Sequence, residues 1–192
     1  MLRFLNIRMI SVCLLAATAF AGSTLVGRAQ PAIAGLDSPF ALEMKGKFDK
    51  AGKIDPAATV FTLAEGNKQI LEALKQSITA IGDAGYFSYI AQLGPINDEF
   101  SIRTMFDGLS IRGTIRFDAA NENRARSTVS GLKMMIEAAK LKISEQNDTL
   151  LLKSVNAVSD GKAVAVSFIL PKHAFREMLE RKLAVEKVSA DR

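Results

Sequence analysis

The sequence predicts an α+β fold: an antiparallel sheet built from two or three ββα units, with helices packed on one face. Three observations carry this. Asp107-Gly108 and Asp160-Gly161 each read as a two-residue hairpin turn between segments of alternating polarity. Each hairpin is followed by a stretch whose apolar residues recur at helical spacing. Residues 39–82 repeat the same order of strand, strand and helix as a third copy. No alternation of single strands with helices supports a doubly wound parallel sheet.

The chain of 192 residues is 48% hydrophobic and carries a formal net charge of +5. That is enough apolar residue for one packed domain and does not match a disordered chain. A single Cys and a single His exclude an internal disulfide and any metal cluster built on several Cys or His residues. No cofactor or metal is expected.

At the N-terminus, Arg3 and Arg8 precede an apolar run that reaches Phe20, and Ala19-Phe20-Ala21 sets small residues where a signal peptidase reads. This is the pattern of a secretory signal peptide over residues 1–21. The rival reading is an uncleaved anchor over residues 9–27, weakened by Ser11, Thr18, Ser23 and Thr24. Either reading exports the remainder. Cys13 has no lipobox before it, so a lipid anchor is not expected. The expected organisation is a signal peptide, a linker over 22–35, one α+β domain over 36–188 and a short tail over 189–192. The mature chain is expected to lack a membrane span and to lie in the periplasm or outside the cell.

Within the domain, Phe40, Leu42, Met44 and Phe48 alternate with Glu43, Lys45 and Lys47, which predicts a half-buried strand. A turn over 49–53 and a short strand containing Val60, Phe61 and Leu63 follow. Ile70, Leu71, Leu74, Ile78 and Ile81 share one helical face, and Gly82 to Gly85 ends that helix. Residues 86–93 are ambiguous. In the next hairpin, pairing outward from Asp107-Gly108 sets Phe106 opposite Leu109, Thr104 opposite Ile111, Ile102 opposite Gly113 and Phe100 opposite Ile115. Asp118 is expected to cap a long helix with a stripe of Ala125, Val129, Leu132, Ile136, Ala139 and Ile143. The last hairpin pairs Ala157 with Val164, Val155 with Val166 and Lys153 with Phe168. Pro171 then opens a final helix with Phe175, Met178, Leu179 and Leu183 inward.

The segment Asp55-Pro-Ala-Ala-Thr-Val-Phe before a helix, the strand end Ile115-Arg-Phe-Asp running into an Ala-rich helix, and Val158-Ser-Asp-Gly-Lys-Ala-Val-Ala-Val before a Pro-led helix form one pattern. It resembles the repeated strand-strand-helix modules of uncharacterised exported bacterial proteins. The resemblance covers most of the mature chain. It implies export and an α+β repeat, and it carries over no catalytic residue.

Catalytic sets are weakly represented. His173 stands beside Lys172 at a helix start, and no Gly-x-Ser-x-Gly elbow accompanies it. Ser130-Gly-Leu-Lys133 and Ser159-Asp-Gly-Lys162 match Ser-x-x-Lys, but the first falls in mid-helix and the second straddles a turn. Asp98 and Glu99 are adjacent, which in a strand points them to opposite faces. No phosphate loop or calcium loop is present. Asn147-Asp-Thr149 is a glycosylation sequon, relevant only in a eukaryotic secretory pathway.

Basic residues are the uneven feature. The expected register sets Arg103 directly opposite Arg112 on the face away from the core, with Arg116 further along opposite Glu99. Two guanidiniums held together suit an anion or an acidic partner. Solvation, or an acid from a neighbouring strand, is the plainer alternative. Lys45, Lys47, Lys50 and Lys53 form a second basic group that an anionic envelope surface would attract. The last hairpin turns Ser154, Asn156, Val158, Ala163, Ala165 and Ser167 outward, a small and uncharged face expected to be covered by another element or offered to a partner. Export and the scarcity of stacking aromatics disfavour nucleic acid. The leading expectation is a non-enzymatic exported binding or structural module that contacts an envelope protein or an anionic surface. The alternatives are a small exported hydrolase with a Ser/Lys or carboxylate site, and a carrier of an apolar ligand held between sheet and helices. Oligomeric state is not legible.

Overall fold

The structure, a computed structural model, describes residues 38–49, 53–83, 99–141 and 146–177. The signal-peptide and linker segments, the ambiguous stretch at 86–93, Asp98, Ile143 of the expected helical stripe and the expected inward residues Met178, Leu179 and Leu183 lie outside the described residues.

The fold is α+β, as the sequence predicts. In chain order the strands and helices are β1 (Phe40–Lys47), β2 (Val60–Glu65), α1 (Lys68–Asp83), β3 (Glu99–Phe106), β4 (Ser110–Asp118), α2 (Glu122–Lys140), α3 (Gln146–Ser154), β5 (Asn156–Asp160) and β6 (Ala163–Pro171). Residues 172–177 start a further helical segment. The six strands form one sheet in the order β2-β1-β3-β4-β6-β5, and every neighbouring pair is antiparallel. Three hairpins therefore lie side by side. Each is followed by helix, which gives the ββα order three times.

The alternation in the strands decides which face is buried. Phe40, Leu42 and Met44 of β1, Phe100, Ile102 and Phe106 of β3, Ile111, Ile115 and Phe117 of β4, and Val164, Val166 and Phe168 of β6 enter one core. Ile70, Leu71, Leu74 and Ile78 of α1, and Ala125, Val129, Leu132 and Ile136 of α2, enter the same core. The helices thus cover one face of the sheet. Among the described residues no helix is long and apolar enough to cross a membrane.

Capping residues set the helix starts. The Asn67 side chain accepts from the backbone N–H of Gln69 at 2.8 Å, ahead of α1. Ahead of α2 it is Asn121, not Asp118, that accepts from the backbone N–H of Arg124, at 2.9 Å. Asp118 is the last residue of β4, and its carboxylate is taken by Lys162 at 3.0 Å. A second departure is α3, where the expected strand positions Lys153 and Val155 are helix and linker. Leu151 and Leu152 are both fully buried, which an isolated helix turn wedged against a neighbour allows and an alternating strand does not.

Both hairpins are present, and both are shifted by two residues from the expected register. Phe106 pairs with Ile111, Thr104 with Gly113, Ile102 with Ile115 and Phe100 with Phe117. Ala157 pairs with Val166 and Ser159 with Val164. The loop residues are Gly108-Leu109 and Gly161-Lys162, with each Asp closing the strand before its loop. Gly108 has φ +95° and Gly161 has φ +55°, the positive values that the first position of a hairpin turn requires. In the first hairpin the Asp107 carboxylate accepts from the backbone N–H groups of Leu109 at 2.9 Å and Ser110 at 2.8 Å. Those bonds, Ser110 foremost, lower the Asp107 pKa, with Arg112 adding to them. The shift takes Leu109 out of the core: it is 81% exposed at the hairpin tip, whereas Ile111 is 1% exposed.

Candidate anion-binding groove

The shifted register redraws the open face of the sheet. Arg103 does not face Arg112. It pairs with Thr114 on β4 and with Glu43 on β1, whose carboxylate lies 3.9 Å away. Arg112 pairs with Met105 across β3 and its guanidinium binds the Asp107 carboxylate at 3.1 Å. Both arginines therefore have acids, one from a neighbouring strand and one from the turn. Arg116 lies opposite Ser101, not Glu99.

The registers assemble one row across all six strands: Val60, Lys45, Ser101, Arg116, Ala165 and Val158. This row contains no acid. Arg116 is exposed and has no carboxylate within salt-bridge distance among the described residues. Lys45 lies 4.0 Å from Glu43, a carboxylate that Arg103 shares. Such exposed pairs are worth between about 0 and 1 kcal/mol, so Lys45 is easily recruited by another anion.

A groove of about 550 Å³ opens at the end of the sheet where this row sits. Its basic lining is Lys45, Lys47, Arg116 and Lys162. Three of the four stand beside acids: Lys45 beside Glu43 at 4.0 Å, Lys47 beside Glu99 at 3.5 Å and Lys162 beside Asp118 at 3.0 Å. Ser101 gives it a hydroxyl, Val60 an apolar side chain, and Glu99 and Asp118 two carboxylates, while Phe100 and Phe117, whose side chains are buried in the core, lie at its margin. Ala58, between β1 and β2, lines one side. In that connection Phe48 bridges Ile54, the Asp49 carboxylate accepts from the Lys53 backbone N–H at 2.8 Å, and Asp55 caps a single 3-10 turn, Pro56–Ala58. Phe48 stacks on Phe100 with centroids 4.0 Å apart, which ties the end of β1 to the start of β3 through the core.

Of the basic residues singled out by sequence, Lys45, Lys47 and Arg116 thus meet in one groove, Arg103, Arg112 and Lys53 are not among its lining, and Lys50 lies outside the described residues. Ser101 and Lys162 were missed as members. Only the correct hairpin register points to Ser101, and only the packing of β6 beside β4 points to Lys162. Among the serine and lysine pairs, Ser130 and Lys133 are exposed on α2, and the Lys162 amine is held by Asp118. His173 is exposed. The small-residue face of β5 and β6 lies in the open side of the sheet, where Val158 is 46% exposed and Ala165 and Ser167 are half-buried. The cover expected for it is not found among the described residues.

No known protein family matches this chain, and no curated protein or solved structure matches it.

Proposed function

We propose that this chain is an exported, non-enzymatic binding module that docks on an anionic component of the cell envelope through the open face of its sheet. The observation that carries the reading is the acid-free row through Lys45, Ser101 and Arg116, set on the face that the helices leave open. Arg116, exposed and with no carboxylate in salt-bridge distance among the described residues, can bind an anion without breaking an ion pair with any of them. Export is supported by the basic and apolar pattern of residues 1–21.

The test is co-sedimentation with vesicles rich in phosphatidylglycerol, against vesicles of phosphatidylcholine alone. The reading expects binding to the first only, falling as salt shortens the screening length from about 10 Å at 0.1 M to about 3 Å at 1 M. Arg116→Glu should abolish it, while a charge reversal on the helix layer, Arg126→Glu, should leave it unchanged. Binding that is insensitive to Arg116→Glu or to salt would refute the use of this face.

A further inference from the structure

We infer that the groove beside Arg116 is a site for a phosphoryl group carried on a larger organic body, bound jointly by Arg116, Lys45 and the Ser101 hydroxyl. The inference rests on the docking reading above and names the chemistry of its central contact. The three residues are consecutive across β1, β3 and β4. Neighbouring strands are about 4.8 Å apart, so the Lys45 and Arg116 backbones stand about 10 Å apart with the short Ser101 between them. Two long cationic side chains flanking a short hydroxyl leave a seat above Ser101 that an oxyanion fills from both sides. The planar guanidinium gives paired N–H donors, the ammonium gives a point charge, and the hydroxyl donates one further bond.

The remaining lining argues for a body beyond the phosphoryl group. Glu99 and Asp118 also line the groove, beside Lys47 and Lys162, and these two carboxylates disfavour a highly charged polyanion. Its volume of about 550 Å³ lies in the range of small-molecule sites, roughly 300–1,000 Å³, and exceeds the need of a lone phosphate. Val60, 59% exposed beside it, offers apolar surface to the attached body. The shared chemistry is a phosphate ester, whether a soluble metabolite or a lipid headgroup.

The experiment is ¹⁵N NMR of the full chain, following the Ser101 amide and the Arg116 guanidinium N–H during titration with glycerol 3-phosphate, and separately with phosphatidylglycerol vesicles. Saturable shifts at both positions are expected with at least one probe. Shifts with the soluble ester assign the source to a free ester, and shifts with vesicles alone assign it to a lipid headgroup. Arg116→Gln should weaken binding about tenfold or more, the scale of one lost charge-assisted contact. Arg112→Gln, whose guanidinium serves the hairpin turn, should change it less than about twofold. The inference is overturned if neither probe shifts Ser101 and Arg116, or if Arg112→Gln weakens binding as much as Arg116→Gln. Vesicle binding that Arg116→Glu abolishes but Arg116→Gln leaves unimpaired would overturn this site and leave sheet-face docking standing. A chain that binds no anionic vesicle and no ester would end both.

Discussion

Gly113→Ala is a sharp test of the packing between the second and third hairpins. Gly113 of β4 pairs with Phe168 of β6, and both side-chain directions lie on the buried face. A Cβ built on Gly113 would stand 2.1, 2.6 and 3.0 Å from three atoms of the Phe168 ring. Carbon atoms in contact prefer about 3.5–4.0 Å, so the ring edge has to retreat by about 1.4 Å. Phe168 is itself buried, and a close-packed interior resists a shift of that size. Overpacking of this kind costs about 1–3 kcal/mol, while replacing Gly by Ala returns about 0.4–1 kcal/mol through the unfolded chain. The expected net loss is about 1–2 kcal/mol, equivalent to about 2–8 °C in Tm for a domain of this size. Urea denaturation measures it, with an unchanged m-value. Phe168→Ala alone should cost about 3–5 kcal/mol. In the double variant the new methyl occupies space that the ring vacates, so the pair should cost no more than Phe168→Ala alone. A neutral or stabilising Gly113→Ala, or simple additivity in the double variant, would refute the reasoning.

Two further expectations concern the hairpin of β3 and β4. Leu109→Ala should change stability by less than about 0.5 kcal/mol and Ile111→Ala should cost about 2–5 kcal/mol, both read from urea midpoints; comparable losses would restore the unshifted register. The Asp107 carboxyl is held below its ordinary value of 3.8 in the folded chain, so its contribution is complete above that pH and is lost as pH falls through the depressed folded value. Asp107→Asn should therefore be less stable than the parent at neutral pH, with the gap closing in acid; a gap that widens in acid would contradict the assignment.

The sequence and the fold agree where periodicity alone decides the answer. Phe40, Leu42 and Met44 announce a strand, and Ile70, Leu74 and Ile78 announce a helix, because period two and period 3.6 separate cleanly over such lengths. The hairpin registers illustrate the limit. Asp-Gly as the two loop residues, and Gly-Leu or Gly-Lys as the loop with Asp before it, satisfy turn chemistry equally well. They differ by two residues in pairing, and a two-residue shift returns each strand residue to the same face. Alternation cannot distinguish them, so the core was legible while the partners were not. α3 was hidden for another reason: a short run of Leu150, Leu151 and Leu152 has no period to read.

The candidate site inherits that limit. Lys45, Lys47 and Arg116 stood out by charge, but their neighbours depend on strand order and register. The expected confrontation of Arg103 with Arg112 dissolved once Glu43 and Asp107 were found beside them. Arg116 gained interest for the same reason, since the shift replaced Glu99 with Ser101 as its partner.

The most direct test of the central claim, that the open sheet face is the working surface, is in-cell photo-crosslinking of the full chain. A photoreactive residue at Ser101 is compared with one at Arg126, an exposed position on the helix layer. The account predicts a specific adduct, resolved by mass spectrometry, from position 101 and not from position 126, and its loss when Arg116→Glu is added. Adducts formed only from position 126 would contradict it.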